Sequence, residues 1–473
     1  MRALLYDALV AFLKLVTRVF FRTIEVVGTE HIPQDGPVVF VGNHPNSLID
    51  PVLIITTCGR RVRFAAKDTL FKSVALRPIL WMLGAVPIKR RQDHDGSDPK
   101  VEEKETSTAS PPVDNASAFE ALFAVLKEQG AFGIFPEGIS HSRAELAPMK
   151  TGAARIALGA AKQGIPVRVV PSGLSYRRRE RLRGRVLVQF GPPLLIDDAR
   201  LDAEQKDPRA AAQALTADIE ASLRALTINA RDFDTLRMLD GVRRLYQPKD
   251  KKLSLSEQGE LMRRFVEHYE RLKDVPEVDA FCRDVEAYQD RVRSLGLRDR
   301  DLLRPVTFAS RTWHLLRHLF FMLVLAPLAL PGIPLHLPAL MAAVWAGDNL
   351  TQRKDVVATV KMLSITALVL LGYAGTSLYV LRHYPPPDGL ALAGLVLGGL
   401  LLSGWATIRV LERQAVLRRG FTVLLALLNL EAELAKLRVT RDELRSRLLG
   451  LVDRYMDKSL TRIIEDEDHA VAS

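Results

Sequence analysis

Apolar positions follow several rhythms along this chain, and each change of rhythm marks a change of element. Over residues 1–21, Leu4, Leu5, Ala8, Leu9, Phe12, Leu15, Val16, Val19 and Phe20 share one helical face, while Asp7, Lys14 and Arg18 lie off it. That predicts an amphipathic helix, lying in a membrane interface or packed on a core. Charges interrupt the apolar run and no small-residue cleavage site follows, so it does not read as a secretory signal. From 23 to about 195, short β-branched and aromatic runs alternate with helical spacing. Strands are predicted at 23–27, 38–41, 62–66, 85–88, 131–135, 167–171 and 186–190, and helices near 51–57, 70–83, 117–129 and 147–163. Such alternation predicts an α/β domain with a mixed, largely buried sheet.

Within that domain the rhythm stops at 92–116, where Asp93, Asp95, Asp98, Glu102, Glu103, Pro111 and Pro112 make a polar stretch that reads as a disordered surface insertion. Residues 200–311 return to helical spacing, as in Leu236, Leu239, Val242 and Leu245, but with dense charge. They predict a helical connector. Two long apolar runs follow at 362–381 and 390–408, each about the length that spans a bilayer. A third, 319–346, is interrupted by Pro327, Pro331, Pro334 and Pro338 and predicts one kinked span or a re-entrant hairpin. The expected division is an amphipathic helix at 1–22, an α/β domain at 23–199, a connector at 200–311, transmembrane helices within 312–410, and an amphipathic helical tail at 411–473.

Composition narrows the function classes. Of 473 residues, 48% are hydrophobic, an ordinary share crowded toward the last third. The two cysteines, Cys58 and Cys282, are too few and too far apart for a disulfide framework or a cysteine-rich zinc site, and they fit a reducing compartment. A net charge of +11 favours anionic partners, either a membrane surface or a phosphorylated ligand. Basic cytoplasmic flanks of a membrane protein account for it equally well. Nucleic acid is disfavoured because no binding motif or basic-aromatic platform is present. A transporter is disfavoured too, since the apolar runs are few and carry charge only at their ends.

Four short blocks carry candidate chemistry. The first, Val38-Val39-Phe40-Val41-Gly42-Asn43-His44-Pro45-Asn46-Ser47-Leu48-Ile49-Asp50-Pro51, ends a buried strand on a histidine and a carboxylate. Imidazole is a natural general base near neutrality, and a carboxylate can fix its tautomer. Asp50-Pro51 reads equally well as a helix cap and first helical position. The second block, Gly84 to Arg91, places Lys89, Arg90 and Arg91 after a strand, where cations suit a phosphate or simply a solvated end. The third, Phe135-Pro136-Glu137-Gly138, puts a carboxylate at a strand's carboxyl end, where α/β sheets build ligand crevices. A surface turn is the plain alternative. The fourth, Ile165 to Pro171, is an apolar strand bracketed by prolines.

Taken in order and at this spacing, the four blocks resemble the phospholipid/glycerol acyltransferase (PlsC-like) family over roughly residues 20–195. The resemblance implies transfer of a fatty acyl group from a CoA or acyl-carrier-protein thioester to a glycerol hydroxyl. It implies His44 as base and Asp50 as its partner, with Lys89, Arg90 and Arg91 on phosphate and Glu137 and Gly138 at the acceptor. Two departures stand out. Five residues separate His44 from Asp50 where the family usually has four, and Ile139-Ser140-His141 replaces the common Thr-Arg. Arg143 or Lys150 is then the expected substitute for the missing arginine. Both departures look like the branch similar to fungal glycerol-3-phosphate/dihydroxyacetone-phosphate acyltransferases, which also carry carboxyl-terminal spans. Acylation of lysophosphatidate or another lysophospholipid is the alternative within the class, and an inactive lipid-binding scaffold the alternative outside it. Neither a metal nor a cofactor beyond the thioester co-substrate is expected. Arg311, Arg317, Arg409, Arg413, Arg418 and Arg419 flank the apolar runs and predict an integral membrane protein with its catalytic domain on the cytoplasmic face.

Overall fold

The β-branched runs of the first half close into one eight-stranded sheet. In chain order its strands are β1 (Phe21–Val27), β2 (Val38–Gly42), β3 (Val62–Lys67), β4 (Val86–Ile88), β5 (Ala131–Ile134), β6 (Arg168–Arg177), β7 (Gly184–Phe190) and β8 (Leu194–Leu195). The computed structural model describes residues 2–89, 116–248, 252–303 and 308–455. Two compact units divide it, one of Met1–Asn229 with Arg353–Thr359, the other of Ala230–Gln352 with Val360–Ser473.

In the first unit the strands lie in the order β1-β7-β6-β2-β5-β3-β4, with β8 beside the start of β6. Parallel pairs are β1 with β7, β2 with both β5 and β6, and β3 with both β5 and β4. Only β6–β7 and β6–β8 run antiparallel, so the described sheet is mixed. Each predicted strand is present. The sixth runs on to Arg177 beyond its predicted end at 171, and that extension shapes the site.

Helices α1 (Arg2–Phe20), α2 (Ile49–Thr57), α3 (Leu76–Met82), α4 (Ala116–Lys127), α5 (Gly152–Lys162), α6 (Asp198–Lys206) and α7 (Pro208–Leu226) complete this unit. Val39 and Val41 of β2, Phe132 of β5, Leu122 of α4 and Ala154, Ile156 and Ala157 of α5 join one buried cluster. Leu215, Ile219 and Leu223 of α7 enter the same cluster, spaced to make one apolar helical stripe. The compact unit therefore includes α7 and runs to Asn229, past the expected edge at 199, because α7 is polar on its outer face only. At the amino end, Asp207 caps α7 by accepting from Arg209 N and Ala210 N, with Pro208 at the first helical position. The α1 helix divides its faces. Its Tyr6 hydroxyl donates to Val62 O (3.1 Å) and accepts from Val62 N (2.8 Å), while Leu4, Leu15 and Val19 remain exposed. Residues 92–115 of the expected insertion lie outside the described residues.

The second unit is helical: α8 (Phe233–Tyr246), α9 (Leu255–Leu272), α10 (Pro276–Ser294), α11 (Phe308–Ala329), α12 (Ile333–Asn349), α13 (Val357–His383), α14 (Asp388–Asn429) and α15 (Glu431–Tyr455), with the first turn of α13 counted in the other unit. Leu239, Val242, Phe265, Phe281, Val285, Leu444 and Leu448 bury the facing sides of α8, α9, α10 and α15, so connector and tail share a core. The helical stretches Ala309–Asn349, Val357–His383 and Asp388–Ala426 are long and apolar enough to cross a membrane. The first breaks at Leu330–Gly332, within its proline-rich part. Ser403 of α14 satisfies the freed backbone there, donating to Ala329 O (2.8 Å) and accepting from Gly332 N (2.9 Å).

Candidate active site

The site forms where β2 stops and β6 does not. Gly42 pairs with Ser172, after which β6 continues without β2 beside it. The Asn43 side chain takes over the vacated ladder. It donates from Nδ2 to Leu174 O (3.0 Å) and accepts from Leu174 N at Oδ1 (2.7 Å). This anchors the strand end from which His44 projects.

From there the chain turns through Ser47, which sits in the left-handed region at φ +47°. Ile49 N bonds Asn46 O (3.1 Å) and Asp50 N bonds Ser47 O (3.3 Å), so α2 begins at Ile49 with Leu48 before it. Asp50 is thus inside the first turn, and the cap reading of Asp50-Pro51 does not hold. Its carboxylate turns back instead. Oδ2 accepts from His44 Nδ1 (2.9 Å) and Asn46 N (2.7 Å), and Oδ1 accepts from the Tyr176 hydroxyl (2.5 Å). The left-handed residue folds the longer loop back on itself, so five intervening residues still close the His–Asp bond.

This carboxylate has no exposed surface, and His44 is 9% exposed. Burial pushes the Asp50 carboxyl above its ordinary range, against the hydrogen bonds from His44, Tyr176 and Asn46 that pull it down. Burial first, and then the Asp50 charge, hold Tyr176 well above the usual phenol range, so its hydroxyl remains a donor. The Phe135 ring lies flat on the imidazole, 4.0 Å between centroids and 2° between planes.

On the other side of β2, the turn after β5 is laced to the same loop. Glu137 Oε1 accepts from His44 N (2.8 Å), while Oε2 accepts from Ala147 N (2.7 Å) and from His141 Nε2. His141 N donates to His44 O (3.1 Å), and Ser47 N donates to Ser140 Oγ (3.0 Å). Glu137 is 2% exposed and its oxygens are occupied by this bracing, where the resemblance implied an acceptor contact. Gly138 has φ +71°, and a Cβ there would meet Lys150 Cδ, Cε and Nζ at 2.9 Å, so the Lys150 chain lies over the turn. Arg143 is exposed on the same loop, its N bonded to His141 Nδ1 (3.1 Å). Lys89 is exposed after β4, three strands from β2, which ordinary strand spacing makes about 14 Å. Arg90 and Arg91 lie outside the described residues.

Several contributors were not foreseen from sequence. Asn43, Tyr176 and His141 hold the dyad and its loops. Arg179 donates to Pro45 O (3.4 Å) and Ser142 O (3.2 Å), bridging both turns. Arg353, from the segment before α13, donates to Ser140 O (3.2 Å) and pairs with the buried Asp355 (2.7 Å). Tyr176 follows the fourth block on the same strand, but no pattern marks it or Arg353 as a partner of the site.

A family model described as Acyltransferase matches residues 23–175, the part of the chain that carries this site. Over that part the chain is similar to the glycerolipid acyltransferases. A second model, the glycerol-3-phosphate acyltransferase 2 C-terminal domain, matches residues 238–458, the part that holds the three helical stretches long and apolar enough to cross a membrane. Glycerol-3-phosphate O-acyltransferase 2 of Saccharomyces cerevisiae is 28% identical over 71% of this chain and 58% of its own length. Glycerol-3-phosphate O-acyltransferase 1 of the same yeast is 25% identical over 96% of this chain and 72% of its own. The 1-acyl-sn-glycerol-3-phosphate acyltransferase of Borreliella burgdorferi is 24% identical over 38% of this chain and 65% of its own.

Proposed function

We propose that this chain moves a fatty acyl group from a CoA or acyl-carrier-protein thioester to the hydroxyl of glycerol 3-phosphate or dihydroxyacetone phosphate, the first acylation of phospholipid synthesis. One observation carries the reading: His44 Nδ1 bonded at 2.9 Å to a fully buried Asp50, at the carboxyl edge of a parallel strand. With the proton of Nδ1 engaged by Asp50, Nε2 keeps its lone pair for substrate. The acceptor oxygen attacks the thioester carbonyl carbon as its proton moves to Nε2. Collapse of the tetrahedral adduct breaks the carbon–sulfur bond, and the departing thiolate takes that proton back. Asp50 stabilises the imidazolium between the two transfers, and no acyl-enzyme is formed.

The acceptor phosphate is assigned to Arg143 and Lys150 on the Glu137 loop, with Lys89, Arg90 and Arg91, which follow β4 in the sequence, as the further cations the resemblance implies. Glu137 and Gly138 shape the acceptor side by fixing the loop on which His44 rests. Basic residues flanking the apolar helices, Arg311 and Arg317 before and Arg409 and Arg413 after, support a cytoplasmic placement of the catalytic unit. Similarity to a 1-acyl-sn-glycerol-3-phosphate acyltransferase keeps lysophosphatidate as the second acceptor to test.

The test is acyl transfer by the detergent-solubilised chain from labelled palmitoyl-CoA, with glycerol 3-phosphate, dihydroxyacetone phosphate and lysophosphatidate offered separately. Product from either of the first two, lost in His44→Ala, is the expected outcome. General-base removal is worth about a hundred- to ten-thousand-fold in rate. Product from lysophosphatidate alone moves the reaction one step later. No product from any acceptor, with palmitoyl-acyl-carrier protein also supplied, points to an inactive scaffold.

A further inference from the structure

We infer that Tyr176 is a positioning residue for acyl transfer, holding the carboxylate of Asp50 in the one orientation that presents Oδ2 to the imidazole. The inference rests on the reading of His44 as base and extends it to a residue outside the four sequence blocks. A carboxylate torsion is soft, with a broad minimum rather than three sharp wells. In Asp50, Oδ2 holds two bonds, to His44 Nδ1 (2.9 Å) and Asn46 N (2.7 Å). Oδ1 holds Tyr176 at 2.5 Å, the shortest of the three. Without that bond a fully buried, charged oxygen loses its donor, and rotation of the group becomes its way to recover one.

The tyrosine is well placed to fix that torsion because it is itself fixed. Its backbone is paired with Val186 in the antiparallel β6–β7 ladder. Its ring rests against Phe21 of β1, 6.0 Å between centroids. The hydroxyl is therefore carried by three neighbouring strands, while the dyad it addresses lies on the β2–α2 turn. Burial and the adjacent carboxylate keep it protonated, so it donates at any working pH. Tyr176 touches neither acceptor nor thioester in this scheme; it acts through Asp50.

The experiment is a double-mutant cycle on the full chain in detergent, with labelled palmitoyl-CoA and whichever of the three acceptors the wild type uses. Tyr176→Phe, Asp50→Asn and the double variant are compared for kcat, for KM of both substrates and for thermal unfolding. Phe keeps the ring against Phe21 and removes only the oxygen. Expected is a fall in kcat of about 10- to 100-fold in Tyr176→Phe with both KM values held within about twofold, and a further loss of less than about twofold when it is added to Asp50→Asn. Wild-type kcat in Tyr176→Phe, a loss confined to KM, or an equal loss in both backgrounds overturns the inference. So does a Tyr176→Phe protein that fails to fold while the double variant folds, which would make the hydroxyl a partner of the buried charge alone. Full turnover in Asp50→Asn has a separate meaning: the His44–Asp50 reading itself falls, and this inference with it.

Discussion

Asp50 reaches His44 through the imidazole ring, whereas Glu137 reaches it through the main chain. Both carboxylates are almost fully buried, at 0% and 2% exposure, and both follow parallel strands that are neighbours in the sheet. Residue type and burial alone would give them the same role. What separates them is the list of donors. Asp50 holds, through Nδ1, the ring whose charge the proposed chemistry changes, together with the Asn46 N–H and a phenol that orients it. Glu137 holds two main-chain N–H groups and the His141 ring, so it fixes where His44 stands rather than what its ring does.

Substitutions can break that contrast. The largest effect is expected at Asp50. Asp50→Asn should lower kcat by about a hundred- to ten-thousand-fold by presenting the wrong hydrogen-bond partner to Nδ1. Loss of the disfavoured buried charge offsets the amide that now faces the Asn46 N–H, so its melting temperature should change little; kcat and thermal unfolding measured together check this. Glu137→Gln should reverse the pattern. The amide leaves one buried N–H facing another donor, costing about 1–3 kcal/mol of stability, with turnover down by less than about tenfold. Were Glu137→Gln to lose turnover as Asp50→Asn does, with its melting point intact, Glu137 would be a substrate contact and the contrast would collapse.

Gly138→Ala sharpens the same comparison from the backbone side. With φ at +71° and the Lys150 chain 2.9 Å from the new methyl, it should cost about 1 kcal/mol, seen in denaturant unfolding and in a raised acceptor KM. The smallest effect is expected from the thiols. Burial pushes Cys58 up to about 11 and Cys282 to about 12, so about one thiol in a thousand or fewer is ionised at pH 8. N-ethylmaleimide should leave the rate unchanged within about 10%, the usual error of such rates, whereas inactivation would point to a covalent acyl intermediate.

The strands and the dyad were legible in the sequence because each rests on local signals. Val38 to Val41 read as a buried strand, and His44 and Asp50 lie close enough in the chain for a single loop to join them. The helix start was misplaced because Asp-Pro is ambiguous, and only the left-handed Ser47 shows how the turn closes. Glu137 was legible as important but not as a brace, since two of its three partners are main-chain groups that no residue pattern encodes. Tyr176 meets Asp50 across 126 positions, and Arg353 meets Ser140 across 213. Such contacts are set by sheet register and by chain return, neither of which leaves a periodic trace. The first compact unit runs past the expected edge at 199, to Asn229, for a related reason. Charge density described the outer face of α7, and its inner face belongs to the core.

Arg353–Thr359 belongs to the catalytic unit although it follows the apolar stretch Ala309–Asn349 in the chain. A ribosome makes the chain from the amino end, so the α/β sheet can fold while this last piece is still unsynthesised. The loop that carries Ser140 receives its arginine only after that bilayer-length stretch has been made. Completion of the catalytic unit is thereby ordered in time behind synthesis of the apolar stretch, and a fragment cut at Asn229 ends before the Arg353 segment that completes the unit.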